Sequence, residues 1–336
     1  MTAFQKIYGR VFLVTLAVMV FAWSASWACF RMSGELGGFP RGLFMAAGAH
    51  HGSGEGSGLT EVHETRELIF EGLETLSIRT LATDVHVVID SKPTPAGKPA
   101  MAELTLKGRA PELIKNGRKR ERLAAIRNGA DFQVVVEDAI GTDSVFNWQN
   151  LMGHVSFDSD YETGLTLEVK LPASFKGKLQ FKTTSGDLSL KGATLQGLSV
   201  EGVSSDLKLE SVALHEAKIQ TTSGDVDLEG RVDRLQAETV SGDVQVEFDP
   251  AQAKALERLE IETTSGDVTA YISENLDARI QVSSVSGEIT TDIQPLIAAG
   301  FTEKPSAEAQ LGAGRGEVRF KTVSGDISIL RHDALN

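Results

Sequence analysis

From Glu64 onward, apolar and polar residues alternate with a period of two, as in strands with one dry face and one wet face. A short word punctuates the alternation. Thr-Thr-Ser-Gly-Asp stands at 183–187, 221–225 and 263–267, Thr-Val-Ser-Gly-Asp at 239–243 and 322–326, and Ser-Val-Ser-Gly-Glu at 284–288. A copy that has lost its glycine, Val-Ser-Ser-Asp, stands at 203–206. The acids Asp187, Asp206, Asp225, Asp243, Asp267, Glu288 and Asp326 follow one another at intervals of 19, 19, 18, 24, 21 and 38 residues. The last interval is twice 19, which points to a degenerate copy or an insertion. Repeats near 20 residues indicate a stacked architecture.

The flanks repeat in the same phase. Eight and six residues before the acids lie Leu179 and Phe181, Leu198 and Val200, Ala217 and Ile219, and so on to Val318 and Phe320. One and three residues after them lie Leu188 and Leu190, Leu207 and Leu209, Val226 and Leu228, and so on to Ile327 and Ile329. Each repeat therefore reads as strand, sharp turn, strand, with both strands aimed at a shared interior. One repeat cannot bury that interior alone, so copies must stack on one another. The pattern predicts an all-β fold: a β-solenoid, or single-stranded parallel β-helix, with rungs of about 19 residues. A β-sandwich is the alternative, since short, evenly spaced strands also suit it.

The turn residues expected to shape each bend are Ser185, Gly186 and Asp187; Ser223, Gly224 and Asp225; Ser241, Gly242 and Asp243; Ser265, Gly266 and Asp267; Ser286 and Gly287; and Ser324, Gly325 and Asp326. Glycine would supply backbone angles that a side chain forbids. Serine and aspartate would bond to nearby backbone N–H groups.

Upstream, Leu76, Ile78, Asp84, Val85 and Val87 fall at the same offsets, so the solenoid should begin near Leu73. Between Asp84 and Leu179 the period fails. Strands are expected near Ala102–Leu106, Phe132–Val136 and Leu165–Leu171, a helix or loop near Pro111–Asn128, and a polar loop at Gly141–Gly164. The resulting division is 1–28 signal peptide or anchor, 29–60 tether, 61–175 irregular N-terminal part of the β domain, and 176–336 regular repeats.

The start of the chain reads as an export signal. Lys6 and Arg10 precede the apolar run Val11–Trp23, and Ser26 and Ala28 are small residues at positions a signal peptidase reads. The uncharged stretch 11–30 is also long enough to stay as a membrane anchor. Either way, the remainder of the chain is expected outside the cytoplasm: periplasmic, membrane-anchored or at the cell surface. Cys29 is the only cysteine, so no intrachain disulfide can form, and its place after Ala28 raises lipid attachment. The Gly-rich segment Arg31–Gly58 reads as a flexible tether carrying His50 and His51. With His63 these could approach a metal, but no further ligands stand at a recognisable spacing. A net charge of −13 excludes a general nucleic-acid binder.

The recurring Thr-Thr-Ser-Gly-Asp-Val word, behind an export signal, resembles the bacterial β-strand-repeat family labelled putative adhesin. The resemblance covers Leu73–Leu330 and implies an exported cell-envelope protein. It carries over no catalytic residues.

Several groups are candidates for chemistry. In register, Asp187, Asp206, Asp225, Asp243 and Asp267 would form a column that could hold calcium as a ladder. The competing reading has each aspartate capping its own turn, with no cofactor. The repeated serine lacks a G-x-S-x-G context, and His154 and His215 are isolated in sequence, so it reads as structural. Glu238 and Glu262 could be neighbours on a wet face, as glycan chemistry would need. The basic run Lys115, Arg118, Lys119, Arg120 and Arg122 could touch an anionic surface, with Leu123 and Ile126 anchoring a short helix beside it. Gly312–Gly316 is not a phosphate loop, because no Lys-Ser/Thr follows.

The reading is a non-enzymatic exported protein presenting a binding surface to an envelope protein or glycan. An envelope-stress accessory acting through a membrane partner and a glycan-active β-helix enzyme are the alternatives. An open C-terminal rung invites strand addition, so Pro295–Gly316 or a partner should fold over it.

Overall fold

The computed structural model describes residues 59–70, 72–90, 99–111, 114–115, 118–119, 121–138, 164–249, 256–302 and 305–332. The expected signal segment, Cys29, the tether with His50 and His51, and the polar loop with His154 lie outside them. Residues 58–336 form one compact unit. Among the described residues no helix is long and apolar enough to cross a membrane.

Two strands flank each turn. The strands before the turns are β2 (Thr75–Arg79), β10 (Lys178–Lys182), β12 (Thr194–Glu201), the second halves of β13 (Leu207–Gln220) and β14 (Val226–Glu238), β16 (Arg258–Glu262), β18 (Ala278–Ser283) and β21 (Gly316–Lys321). The strands after them are β3 (Asp84–Asp90), β11 (Leu188–Lys191), the first halves of β13 and β14, β15 (Val244–Phe248), β17 (Val268–Ile272), β19 (Ile289–Thr291) and β22 (Ile327–Arg331). Rung pairs with rung in parallel and without slippage at the motif: Leu179 faces Leu76 on one side and Leu198 on the other. This parallel pairing excludes the sandwich and makes the fold a β-solenoid. The described pairings join twenty strands in one sheet.

The apolar residues flanking the turns are buried as the alternation requires, from Leu76 and Ile78 to Ile327 and Ile329. Thr291 is the exception and is half exposed. The expected register of the first rung holds as well, with Leu188 beside Val85 and Leu190 beside Val87. A second corner lies five residues after the acid. Gly192 and Gly230 take positive φ there, and Ser211 does so with φ 52°.

At both ends the spatial order departs from the chain order. The N-terminal end rung is β8 (Asp131–Val136) with β9 (Gly164–Pro172), which lie in parallel against β2 and β3. Antiparallel strands then close this end: β7 (Leu123–Asn128) on β8, and β4 (Met101–Pro111) on β9 with β1 (Leu59–Ile69) outside it. The helix or loop expected over Pro111–Asn128 is instead the short hairpin β5 (Ile114–Lys115) and β6 (Arg118–Lys119), followed by β7. Pairing with β8 overrides the helical spacing of Leu123 and Ile126, so Leu123 is buried and Ile126 is 52% exposed.

At the other end, β21 lies between β16 and β18, and β22 lies between β17 and β19. The Asp326 copy therefore sits between the Asp267 and Glu288 copies, so these rungs do not stack in sequence order. The long last interval holds helix α1 (Gln294–Ala298) and β20 (Ser306–Leu311), which pairs antiparallel on β18. Ile293, Leu296 and Phe301 are fully buried. The expected cover from Pro295–Gly316 is present, but it lies over the Glu288 rung.

Candidate functional site

The turns form one continuous ridge. The first residue of the word continues the inward phase of the strand before it, which buries Thr183, Thr221, Thr239, Thr263, Ser284 and Thr322. In five of these turns the hydroxyl accepts the glycine N–H three residues on, whereas the buried Thr221 hydroxyl has no hydrogen-bond partner among the described residues. The distance is 2.9 Å at Thr183–Gly186, 3.1 Å at Thr239–Gly242, 3.0 Å at Thr263–Gly266, 2.7 Å at Ser284–Gly287 and 3.0 Å at Thr322–Gly325.

Serine works between rungs. Ser185 and Ser223 donate to the carbonyls of Leu81 and Val203, and Ser241, Ser265, Ser286 and Ser324 donate to those of Thr222, Val240, Val323 and Thr264. These serines face carbonyls and not histidines. His215 Nδ1 lies 3.0 Å from Asp233 on the exposed surface.

The glycines do not take positive φ at the bends, contrary to the sequence reading. They are needed because the rungs approach closely. A Cβ at Gly224 would fall 1.8 Å from the Ser205 carbonyl oxygen, and one at Gly242 would fall 1.9 Å from that of Gly224. Gly186, Gly266, Gly287 and Gly325 meet the same obstacle, the backbone carbonyl of the adjoining rung.

The acids form the expected column, but each serves its neighbour's turn and not its own. The Asp187 amide donates to Asp84 Oδ1 at 3.1 Å. The amides of Asp206, Asp225, Asp243 and Asp267 donate to the Oδ1 of the preceding acid at 2.9, 3.0, 2.9 and 2.8 Å. Asp326 continues onto Asp267 and Glu288 onto Asp326, both at 2.8 Å. The N-terminal end is closed by Asp138, which is buried. Its carboxylate accepts the amides of Leu81 and Ala82 and the Thr83 hydroxyl. One oxygen of each ladder aspartate carboxylate from Asp84 to Asp326 is thus committed to an amide. Among the described residues no three acidic, His or Cys side chains converge to hold a metal ion.

Beside the column runs a shallow groove of about 330 Å³, lined by Asp84, Asp187, Asp206 and Asp225 and by His86, Ser189, Lys208 and Asp227 one alternation further out. Burial pushes the Asp187 carboxyl above the ordinary aspartate value. The charges of Asp206 and Asp84 add to the rise, while the Asp206 amide and His86 oppose it.

The other expected groups separate. Glu238 and Glu262 are neighbours in adjacent strands, as anticipated. They have different partners: Gln220 at 3.0 Å for Glu238 and Lys321 at 3.3 Å for Glu262. Arg122 is not available to an anionic surface. It is 2% exposed, its guanidinium donates to the Glu137 carbonyl at 2.6 Å, and burial lowers its pKa. Lys115, Arg118 and Lys119 fall in the short hairpin, and Arg120 lies outside the described residues. His63 is exposed on β1.

A family model described as Toastrack DUF4097 matches residues 158–330. The chain belongs to the Toastrack DUF4097 family. The resemblance drawn from the repeated word therefore holds at family level, and the Toastrack match spans the turns from Asp187 to Asp326. Two crystal structures are similar to this Toastrack chain. One is a putative cell adhesion protein from Clostridium sporogenes ATCC 15579, with 12% identity and a TM-score of 0.35, covering 81% of this chain and 100% of that one. The other is a putative adhesin from Bacteroides fragilis NCTC 9343, with 14% identity and a TM-score of 0.41, covering 80% and 97%. No curated protein matches.

Proposed function

We propose that this chain is a non-enzymatic, exported cell-envelope protein whose turn ridge and adjoining groove bind a repeating glycan or an extended protein segment. The observation that carries this reading is the repetition itself. Carboxylates, hydroxyls and flanking polar groups recur once per rung, about 4.8 Å apart, along one exposed line. Such a line offers many weak, equivalent contacts, which suits a polymer better than a small molecule. The cationic start and uncharged run at 11–30 support export and attachment near the membrane.

The test is binding of the purified full-length protein to an array of glycans and envelope polymers. Long polymers should bind, short oligomers of the same unit should bind far more weakly, and Lys208→Ala with Asp227→Ala should reduce both. A folded protein that retains no polymer would overturn the reading. Capture of a single membrane protein instead would favour an envelope-stress accessory.

A glycan-active enzyme is the second reading, favoured by the four ladder carboxylates in one groove and the raised pKa of Asp187. It requires release of new reducing ends from a bound polymer, abolished by Asp187→Asn.

A further inference from the structure

The connector between β17 and β18 does not lead to the next position in the stack. Residues 273–277 step over one rung and leave a slot. Two rung spacings are about 9.6 Å, well within the reach of five residues. The chain then builds β18, β19, α1 and β20, and returns to fill the slot with β21 and β22. This insert is hydrogen-bonded along both edges of both strands. Its four inward side chains, Val318, Phe320, Ile327 and Ile329, are fully buried.

The slot is selective. A side chain at Gly325 would strike the Gly266 carbonyl oxygen, and the insert's own Gly325 carbonyl lies against Gly287. The Asp326 amide must donate to the Asp267 carboxylate, and the Asp326 carboxylate must accept the Glu288 amide. The return connector passes from the outer strand β20 to the inner strand β21 through Gly312 and Gly314, both at positive φ. One ion pair joins it to the stepping connector: Arg315 Nε lies 2.6 Å from Asp277 Oδ2.

We propose that the segment Gly316–Arg331 is an exchangeable insert, and that the slot also accepts the same segment from a second copy of this chain, giving a strand-swapped dimer. A second copy meets every requirement of the slot, because it supplies the same glycine, acid and four apolar residues in the same register. The swapped and closed forms share all these contacts and differ only at the hinge 312–315 and the Asp277–Arg315 pair. The hinge is therefore the control point, and concentration sets the balance.

The test uses the full-length chain with Cys29→Ser and two single-cysteine versions, Glu262→Cys and Lys321→Cys. These residues face each other across β16 and β21. Parallel neighbours lie about 4.8 Å apart, within disulfide reach. When the two versions are co-expressed and oxidised in air, swapping should yield a disulfide-linked heterodimer on a non-reducing gel. Each version alone should run as a monomer on that gel, because no second cysteine faces the first. Deleting Ala313 and Gly314 should raise the dimer share severalfold, because a shortened hinge cannot fold back. A single chain carrying both cysteines should lock internally, which shows that the insert is seated. If that lock forms while the mixed versions never crosslink, even with the shortened hinge, the proposal is wrong. Equal crosslinking of Glu262→Cys with itself would mean random collision and would overturn it too.

Discussion

The Asp243 amide donates to Oδ1 of Asp225 at 2.9 Å, so the side chain of one rung holds the backbone of the next. Asparagine preserves that acceptor and alanine removes it. Asp225→Asn should therefore leave stability nearly unchanged. Asp225→Ala should cost about 1 kcal/mol, the usual value of one net hydrogen bond. Urea unfolding of the two variants checks this, and equal losses would show that charge, not the bond, is what the column needs.

Gly224 packs against the Ser205 carbonyl with no room for a side chain. Gly224→Val, and even Gly224→Ala, should destabilise by about 3 kcal/mol or more, since backbone on both sides must move. Gly129 has positive φ but nothing within 4 Å of a built Cβ. Gly129→Asn should cost much less, because asparagine tolerates that conformation. Melting temperatures of the two single variants separate close approach from backbone angle.

The copy around Asp206 has exchanged two residues rather than lost one. Gly202 stands where the Ser-Gly copies have threonine or serine, and Ser205 stands where they have glycine. A Cβ at Gly202 would fall 3.0 Å from the Ser205 Cβ, so the serine fills the place left by the missing threonine. Gly202→Thr alone should destabilise. Adding Ser205→Gly restores the common word and should recover most of the loss. Thermal melts of the single and double variants read this coupling, and simple additivity would refute the exchange.

Asp187 is held above the ordinary aspartate pKa by burial and by the carboxylates of Asp206 and Asp84. The folded state therefore takes up this proton more readily than the unfolded state. Stability from this group is greatest below its unfolded value, about 3.9, and falls as pH rises through the raised folded value. Asp187→Asn removes the charge and keeps an acceptor for the Asp206 amide. Its urea midpoint should exceed that of the parent at pH 7, and the difference should vanish near pH 3. A difference that grows on acidification would contradict the assignment.

Strand phase, rung register and the first rung at Leu76–Val87 were legible because burial enforces a period of two and a one-residue slip would turn every apolar side chain outward. Rung order at the ends was not. Val318 and Phe320 carry the same pattern as Ile280 and Val282, so periodicity cannot say which copy lies beside Leu259. The role of glycine was misassigned because positive φ and close approach both leave the same mark, an absent Cβ. The hydroxyl that braces five of these turns could have been found. Thr183 sits four residues before its acid, in phase with Leu179 and Phe181, so a buried hydroxyl in need of a partner was written in the alternation. Arg122 was hidden inside a basic run whose other members gave no sign that one side chain turns inward.

The amide-to-carboxylate link joins each unit only to its successor and asks nothing of units further away. Duplicating or deleting one unit of coding sequence in the middle of the array would leave both terminal caps untouched and create no unfamiliar junction. The number of rungs in the stack is then a tally that unequal recombination can change.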